Sequence, residues 1–271
     1  MIDYEKYLCM DRLPHMWCPG CGNGILVKSI INAIEELKLN QDNVVIVSGI
    51  GCSSRAASYL NFDSIHTLHG RAIPVATGIK LAKPEINVIV ITGDGDCMSI
   101  GGNHFIHGAR RNIDLTVVIF NNNIYGMTGG QASPLTPHGK KATTAPYGLV
   151  DSPFDVCEVA KAAGATYVAR ATSYNPRMLT NLIADGINNK GFSVIEGITQ
   201  CPTNYGRKNN SGDAFKMLQQ IGKNSVQLEQ YERLSEKEKI DKFSVGVFYN
   251  EHKPEYGEEY KKIIEEVKVR E

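Results

Sequence analysis

The chain has 271 residues with 42% hydrophobic content, enough for one large α/β domain or two small ones with a sizeable core. Lys plus Arg and Asp plus Glu balance at 29 each, so no net field draws the protein to nucleic acid or to an anionic membrane, and any anion must be held locally. The opening residues, MIDYEKYLCMDRLP, carry charges where a signal peptide needs an apolar core, and no apolar run approaches the ~18 residues of a spanning helix. A cytoplasmic protein is expected. Its seven cysteines should then be reduced thiols, and clustered spacing among them points to metal binding or catalysis.

MWCPGCGNG at 16–24 sets Cys18 and Cys21 three positions apart among glycines, directly ahead of ILVKSIINAIEELKL (25–39). There Leu26, Ile30, Ile34 and Leu37 share one helical face. NVVIVS (43–48) is short, β-branched and closed by Gly49, which predicts a buried strand, and IHTL (65–68) is a weaker one. INVIVIT (86–92), DLTVVIF (114–120), ATYVAR (165–170) and FSVIEGI (192–198) predict further core strands, with helical patterns over 73–83, 99–111, 154–163 and 176–188. This alternation specifies an α/β fold, a parallel sheet covered by helices on both faces. Residues 121–153 are rich in Gly, Pro, Thr and Asn, and irregular segments of that length inside domains usually serve function or move. From Cys201 onward the composition turns polar and charged and ends in EEYKKIIEEVKVRE, read as a helical tail packed on the domain or on a partner. The expected division is an α/β domain over 1–200 and an extension over 201–271. No repeat or low-complexity segment is evident.

In open parallel sheets, ligands bind beyond the carboxyl ends of the strands, where loop amides and helix N-termini converge. GIGCSSR, GDGD, NNNIYGMTGGQ and QCPTNYGR each follow a predicted strand and are expected at that one edge. In ITGDGDCMS, Gly93 and Gly95 flank Asp94, so the backbone can approach a diphosphate closely while the carboxylate ligates a hard divalent cation. A GDG turn alone is more often a plain strand-to-helix turn. Asn122 and the carbonyl of Ile124, after the next strand, extend the oxygen set around Asp94 in a way that suits Mg²⁺, with diphosphate oxygens and a water completing it. The competing reading is an Asn-rich turn closed by its own Asx bonds. Asp96 is expected to hydrogen-bond beside the ligand.

The GDG and NN pair, under thirty residues apart, resembles the metal and diphosphate signature of thiamine diphosphate enzymes. WCPGCGNG, SGIGCSSR, HTLHGRA, GDGDCMSIGGNH, RRN, NNNIYGMTGGQASP and QCPTNYGR together resemble the β subunit of 2-oxoacid:ferredoxin oxidoreductases, most nearly the 2-oxoglutarate type, over residues 13–207. The resemblance implies the parallel-sheet thiamine diphosphate-binding fold, with a helical C-terminal tail, and the cofactors thiamine diphosphate, Mg²⁺ and a [4Fe–4S] cluster on Cys18, Cys21, Cys52 and Cys201. The residues agree: the pair before the first helix and the two cysteines at strand ends can meet, and Gly20, Gly22 and Gly51 leave amides free for the sulfurs. Without the family, four cysteines also suit a closed zinc site. A thioredoxin-like pair fits less well, since that motif follows a strand and opens a helix. Cys9, Cys97 and Cys157 are expected to be inert.

The resemblance places Ile50, Gly51, Cys52, Ser53, His69, Gly93, Gly95, Asp96, Asn122, Gly126, Met127 and Thr128 around the cofactor, with Met127 beside the thiazolium. Arg55 is the candidate for a dicarboxylic oxoacid's distal carboxylate, pointing into the mouth of the site, and His69 and Arg71 are other candidates near the cofactor, though a lone His is as often structural. Lys140 and Lys141 are read as solvated, alternatively as closing over coenzyme A or substrate. The implied reaction is oxidative decarboxylation of a 2-oxoacid with coenzyme A, electrons passing through the cluster to ferredoxin. The family's activating glutamate belongs to a partner α (or α/γ) subunit, and no motif for it stands here. An active site at an α/β interface, in a dimer of αβ units, is therefore expected. Alternatives are a pyruvate or broad-specificity member of the family, a nonoxidative thiamine diphosphate decarboxylase or synthase, and a zinc-stabilised nucleotide-binding module, for which neither a Walker lysine nor GxGxxG is present.

Overall fold

In the computed structural model, which describes residues 2–270, the apolar alternation of the sequence becomes a sheet of eight strands. Its first half runs α1 (Asn23–Glu36), β1 (Val44–Ser48), α2 (Ala56–Tyr59), β2 (Asp63–His66), α3 (Ala72–Ala82), β3 (Asn87–Gly93), α4 (Gly102–Arg110) and β4 (Leu115–Asn121). The second half runs α5 (Val156–Ala163), β5 (Tyr167–Thr172), α6 (Pro176–Asn188), β6 (Phe192–Ile198), α7 (Ala214–Asn224), β7 (Ser225–Gln227), α8 (Leu228–Tyr231), β8 (Phe243–Asn250) and α9 (Tyr256–Arg270). The strand order is β2-β1-β3-β4-β6-β5-β8-β7. All pairings from β2 to β5 are parallel, which requires a helical crossover between successive strands and buries both faces.

Alternate residues of the central strands therefore serve two cores. Ile46, Ile89, Ile91, Val118, Phe120 and Ile195 pack with Leu26, Ile30 and Ile34 of α1 and Leu179 and Ile183 of α6. Val45, Val47, Val88, Val90, Val117, Ile119 and Val194 pack on the opposite face with Phe105, Ala109 and Ala160. The helix limits follow local chemistry. Asn175 caps α6 by accepting from Met178 N, with Pro176 in the first turn. Asp155 accepts from the amides of Cys157 and Glu158 to open α5, and Gly164, at φ 104°, closes it in the left-handed region.

Three local expectations change. The strand read at 65–68 lies at Asp63–His66 and is exposed throughout, because it forms the sheet edge, paired only with β1, beyond the packed core. The helix read at 99–111 begins at Gly102, since Asp96–Ile100 form a π-helical turn just after β3. The segment after residue 200 is helical only in part: β8 joins the sheet antiparallel to β5, with a register shift at Val168/Ala169, and β7 pairs parallel to β8. No described helix is long and apolar enough to cross a membrane.

A buried ionic network ties β5 to β6, to the end of β4 and to the start of α5. Arg170 Nε donates to Glu196 Oε2 at 2.6 Å and Nη2 to Asp155 Oδ1 at 2.7 Å, while Asn121 Nδ2 donates to Glu196 Oε1 at 2.7 Å. The Arg170 side chain is 7% exposed and that of Glu196 3%, so neither charge can be rescued by water. Arg170→Met should lower the unfolding free energy by about 3–5 kcal/mol, because it strands a buried carboxylate. Chemical denaturation checks this; a loss under about 1 kcal/mol would show that the network contributes little.

Candidate functional site

β1, β3, β4 and β6 are neighbours in the sheet and run in one direction, so the four motifs that follow them emerge at a single edge. A cleft of roughly 640 Å³ opens there. Every residue assigned to the cofactor from the sequence lines it, from Ile50, Gly51, Cys52 and Ser53 of the first loop to Gly126, Met127 and Thr128 of the third, together with Asp94 and Ile124. Phe120 and Tyr125 also line it. Tyr125 donates from its hydroxyl to Gly95 O at 3.1 Å, and a methyl on Gly95 would stand 2.2 Å from the Tyr125 ring. Only glycine fits at that position.

Two carboxylates two residues apart have opposite surroundings. Asp96, 3% exposed, accepts from Gly70 N at 2.7 Å and Thr92 Oγ1 at 2.7 Å and lies 2.6 Å from His69 Nδ1. Its oxygens are occupied, and they hold the imidazole of His69 at the cleft wall, edge-on to Tyr125. Asp94, also 3% exposed, takes a hydroxyl bond from Ser133 Oγ. Burial pushes its carboxyl up to about 7, against the bonds from Ser133 and the Gly95 amide that favour the charged form. A buried carboxylate so poorly compensated suits a cation. Asn122 and Ile124 border the cleft beside it, with Asn122 Oδ1 accepting from Ile124 N at 3.2 Å. This is the Asx bond of the competing reading, and a second lone pair on the same oxygen stays free for a metal.

The thiols of Cys18, Cys21, Cys52 and Cys201 converge at the same edge. Burial, set against a bond from the Asn23 amide, pushes Cys21 up to about 12, and the nearby thiols of Cys201, Cys52 and Cys18 add to the shift. Cys52 rises to about 11 through burial and then through Cys201 and Cys18, with the Met127 amide opposing. A methyl on Gly126 would stand 3.4 Å from Cys52 Sγ and 3.6 Å from Cys201 Sγ, so both sulfurs flank one glycine of the cleft wall. Among the described residues, no three His, Cys, Asp or Glu side chains are grouped tightly enough for a single metal ion. Cys97 and Cys157 are buried elsewhere, and Cys9 donates weakly to Leu60 O at 3.6 Å.

The loops that bear the thiols are bonded to each other. Gly22 N donates to Gln200 O at 3.2 Å, Gln200 Nε2 to Gly20 O at 3.1 Å, and Ser173 Oγ to Gln200 Oε1 at 2.8 Å. Trp17 Nε1 donates to Cys52 O at 2.7 Å. Gln200, Trp17, Ser133 and Tyr125 were missed by sequence reasoning. Gln200 and Tyr125 stood inside quoted motifs without a role, and Trp17 is the chain's one tryptophan.

Arg55 lies outside the cleft lining, on the turn Ser53–Arg55. Its Nε is buried with no hydrogen-bond partner. It faces His66, whose pKa is lowered by burial and by the guanidinium's charge. Arg71 donates to the carbonyls of Gly70 and Ile100 at 3.2 and 3.4 Å, a structural role. Lys140 and Lys141 are exposed.

The sheet, its crossover helices and this cleft define a thiamine diphosphate-binding domain, and comparison with known proteins agrees. Residues 49–197 match the family model described as thiamine pyrophosphate enzyme, C-terminal TPP binding domain. The chain is 56% identical over 263 residues to the 2-oxoglutarate synthase subunit KorB of Methanocaldococcus jannaschii, covering 97% of each. It is 50% identical to the same subunit of Methanothermobacter marburgensis, covering 97% of this chain and 92% of that one. The solved 2-oxoglutarate:ferredoxin oxidoreductase of Magnetococcus marinus, which has 2-oxoglutarate, coenzyme A and succinyl-CoA bound, superposes with a TM-score of 0.88 at 32% identity over 98% of this chain and 91% of that one. The chain belongs to the KorB family of 2-oxoglutarate synthase β subunits.

The raised Asp94 pKa has a consequence for stability. Its folded value of about 7 exceeds the ordinary 3.8, so the fold favours the neutral acid, and stability from this group is lost as pH rises from about 4 to about 7. Without divalent cation at pH 8, Asp94→Asn should melt several degrees above wild type, the gap closing toward pH 4. Mg²⁺ with thiamine diphosphate should raise the melting temperature of wild type alone. Equal melting temperatures at pH 8 would mean that Asp94 carries no such cost.

Proposed function

We propose that this chain is the β subunit of a 2-oxoglutarate:ferredoxin oxidoreductase. With a partner subunit it converts 2-oxoglutarate, coenzyme A and two oxidised ferredoxins to succinyl-CoA, CO₂, a proton and two reduced ferredoxins. One observation carries this reading: four thiols from three loops lie near one another, and two of them, Cys52 and Cys201, flank Gly126, a residue of the cofactor cleft itself. A one-electron centre at that position matches the electron transfer that the reaction requires, which zinc cannot perform.

The donor sets fit the groups. Asp94, Asn122 and the Ile124 carbonyl would hold Mg²⁺ and through it the diphosphate, with Gly93 and Gly95 allowing close approach. Cys18, Cys21, Cys52 and Cys201 would hold the [4Fe–4S] cluster. Thiamine diphosphate, when bound, supplies the electron sink for loss of CO₂. The chain's own residues do the rest: Asp96 fixes one nitrogen of His69, so that the other is free to move a proton at the cleft wall, and Met127 packs at the cleft's open side. Arg55, half-buried at the border of the cleft rather than in its lining, would take the distal carboxylate of 2-oxoglutarate; its buried Nε has no hydrogen-bond partner, and a buried donor left unpaired is costly.

The cleft is open and its borders are apolar. Ile50 is 38%, Met127 43%, Leu68 78% and Ile100 50% exposed, and the last two flank the His69–Arg71 turn. Such a rim calls for a covering protein, and an α subunit bringing the activating glutamate, in a dimer of αβ units, meets both needs. A cytoplasmic location suits the oxygen-sensitive centre and the free thiols.

Anaerobic co-purification with the partner subunit tests the whole. The complex should be brown and should reduce dye with 2-oxoglutarate and coenzyme A, whereas this subunit alone should show no oxoacid-dependent dye reduction. Cys201→Ala should remove the broad visible absorption together with dye reduction; a variant that keeps both would overturn the ligand set. Arg55→Ala should raise KM for 2-oxoglutarate by roughly tenfold or more, the scale of losing a charge-assisted bond, with little change for pyruvate. Equal effects on both substrates would remove its role.

A further inference from the structure

The chain as a whole is neutral, with 29 basic and 29 acidic residues, but its charges are not evenly spread. The segments 122–150 and 197–212 contain no Asp or Glu, yet they carry Lys140, Lys141, Arg207 and Lys208. These two segments abut. Lys141 N donates to Asn209 Oδ1 at 2.8 Å, and Asn209 Nδ2 returns a bond to Lys141 O at 3.0 Å. The tail of Lys208 lies against Gly130, where an added methyl would stand 2.9 Å from its Cε. Four cations thus share one rim, and among the described residues none of them pairs with a carboxylate.

That rim is adjacent to the thiols. Arg207 and Lys208 directly follow the π-helical turn Pro202–Gly206 that Cys201 opens. Asn204 of this turn donates to Gly126 O at 2.6 Å, and the Cys52 and Cys201 sulfurs lie where a side chain on Gly126 would point. The backbone between the sulfurs and the basic surface is therefore one loop thick. A bare positive field at this place attracts an anion, and on a neutral protein it does so selectively.

Two features decide what kind of anion. The cations are spread over an exposed rim, with Lys140, Lys141 and Arg207 all exposed, rather than converging in a pocket as a phosphate group demands. Beside them the same loop projects Tyr147 at 98% and Val150 at 82% exposure, held near Lys140 by the Leu149 N to Lys140 O bond of 2.9 Å and the Gly139 N to Leu149 O bond of 2.8 Å. An aromatic and an aliphatic side chain among cations compose a protein-docking surface.

We propose that Lys140, Lys141, Arg207 and Lys208, with Tyr147, form the landing surface for a small acidic one-electron carrier protein, which is thereby set down next to the cluster thiols. This rests on the oxidoreductase reading above. Each docking passes one electron outward, and two carriers leave reduced for each oxoacid oxidised.

The test uses the complete complex with its partner subunit, under anaerobic conditions, with Lys140→Glu/Arg207→Glu and, as a charge-conserving control, Lys140→Arg. Oxoglutarate-dependent reduction is followed with an acidic [4Fe–4S] ferredoxin and, separately, with methyl viologen, a small cationic dye that needs no docking. The double variant should raise KM for ferredoxin roughly tenfold or more and flatten its dependence on ionic strength. Reduction of methyl viologen, KM for coenzyme A and the melting temperature should match wild type, and Lys140→Arg should behave as wild type throughout. An unchanged KM for ferredoxin overturns the proposal. So does a rise confined to KM for coenzyme A, which would assign these cations to its phosphates, or failure of the variant to assemble with the partner subunit, which would assign them to that interface. If the wild-type complex reduces neither acceptor, it is the functional reading that fails.

Discussion

The site depends on one constraint of parallel sheets: strands that lie side by side and point the same way must deliver their following loops to the same edge. β1, β3, β4 and β6 are consecutive in the sheet, and each is followed by a motif that carries chemistry. Nothing else in the chain would bring Cys52, Asp94, Asn122 and Cys201 together, since they are separated by tens of residues and have no local reason to meet. The Cys18 and Cys21 loop joins them from the start of α1, held by Gln200 rather than by the sheet. The fold supplies proximity, and a few hydrogen bonds supply alignment.

Within that frame, hydrogen bonding rather than residue type divides the labour between like side chains. Asp94 and Asp96 have the same carboxylate, the same burial and nearly the same address. Asp96 is satisfied by an amide, a hydroxyl and an imidazole, and so acts as an anchor for His69. Asp94 also has hydrogen bonds, but burial outweighs them and pushes its carboxyl up to about 7, a cost that a nearby cation would offset. The contrast makes Asp94, and not Asp96, the carboxylate suited to a cation, and exchanging the surroundings of the two would exchange that suitability. A similar contrast separates Arg170 from Arg55. The first is locked between Glu196 and Asp155, and the second has a buried nitrogen with no partner.

The central strands were legible because β-branched runs buried on both faces leave a strong local signal, and the cleft was legible because glycines, Asn and Asp at strand ends have few structural alternatives. The edges were not. β2 reads poorly because an exposed edge strand has no core-facing pattern. FSVGVFYN, which forms β8, was hidden in a charged tail; its burial is mixed, and Gly246, at φ 132°, breaks its alternation. Ser133 and Gln200 were illegible for another reason. Each acts through a single hydrogen bond or two across a tertiary contact, and such partners leave no spacing in the chain. Arg55, three positions after Cys52, was expected in the mouth of the cleft, but the turn Ser53–Arg55 sets it outside the cleft lining and beside His66.

The open side of the cleft bears on how the subunit is built for assembly. Ile50, Leu68, Ile100 and Met127 are apolar and exposed, yet they belong to the same loops as buried, tightly bonded residues such as Asp96 and Gly70. Loops fixed so firmly cannot fold inward to cover them, since Gly70 already stands against Ile100 and Gly101, where even a methyl would clash. The apolar border is therefore a preformed surface, and the free energy of covering it is available only to another chain. Burying that border would also exclude water from His69 and Asp94 and strengthen the electrostatics of the cleft. Association and preparation of the catalytic cleft are, on this geometry, one event.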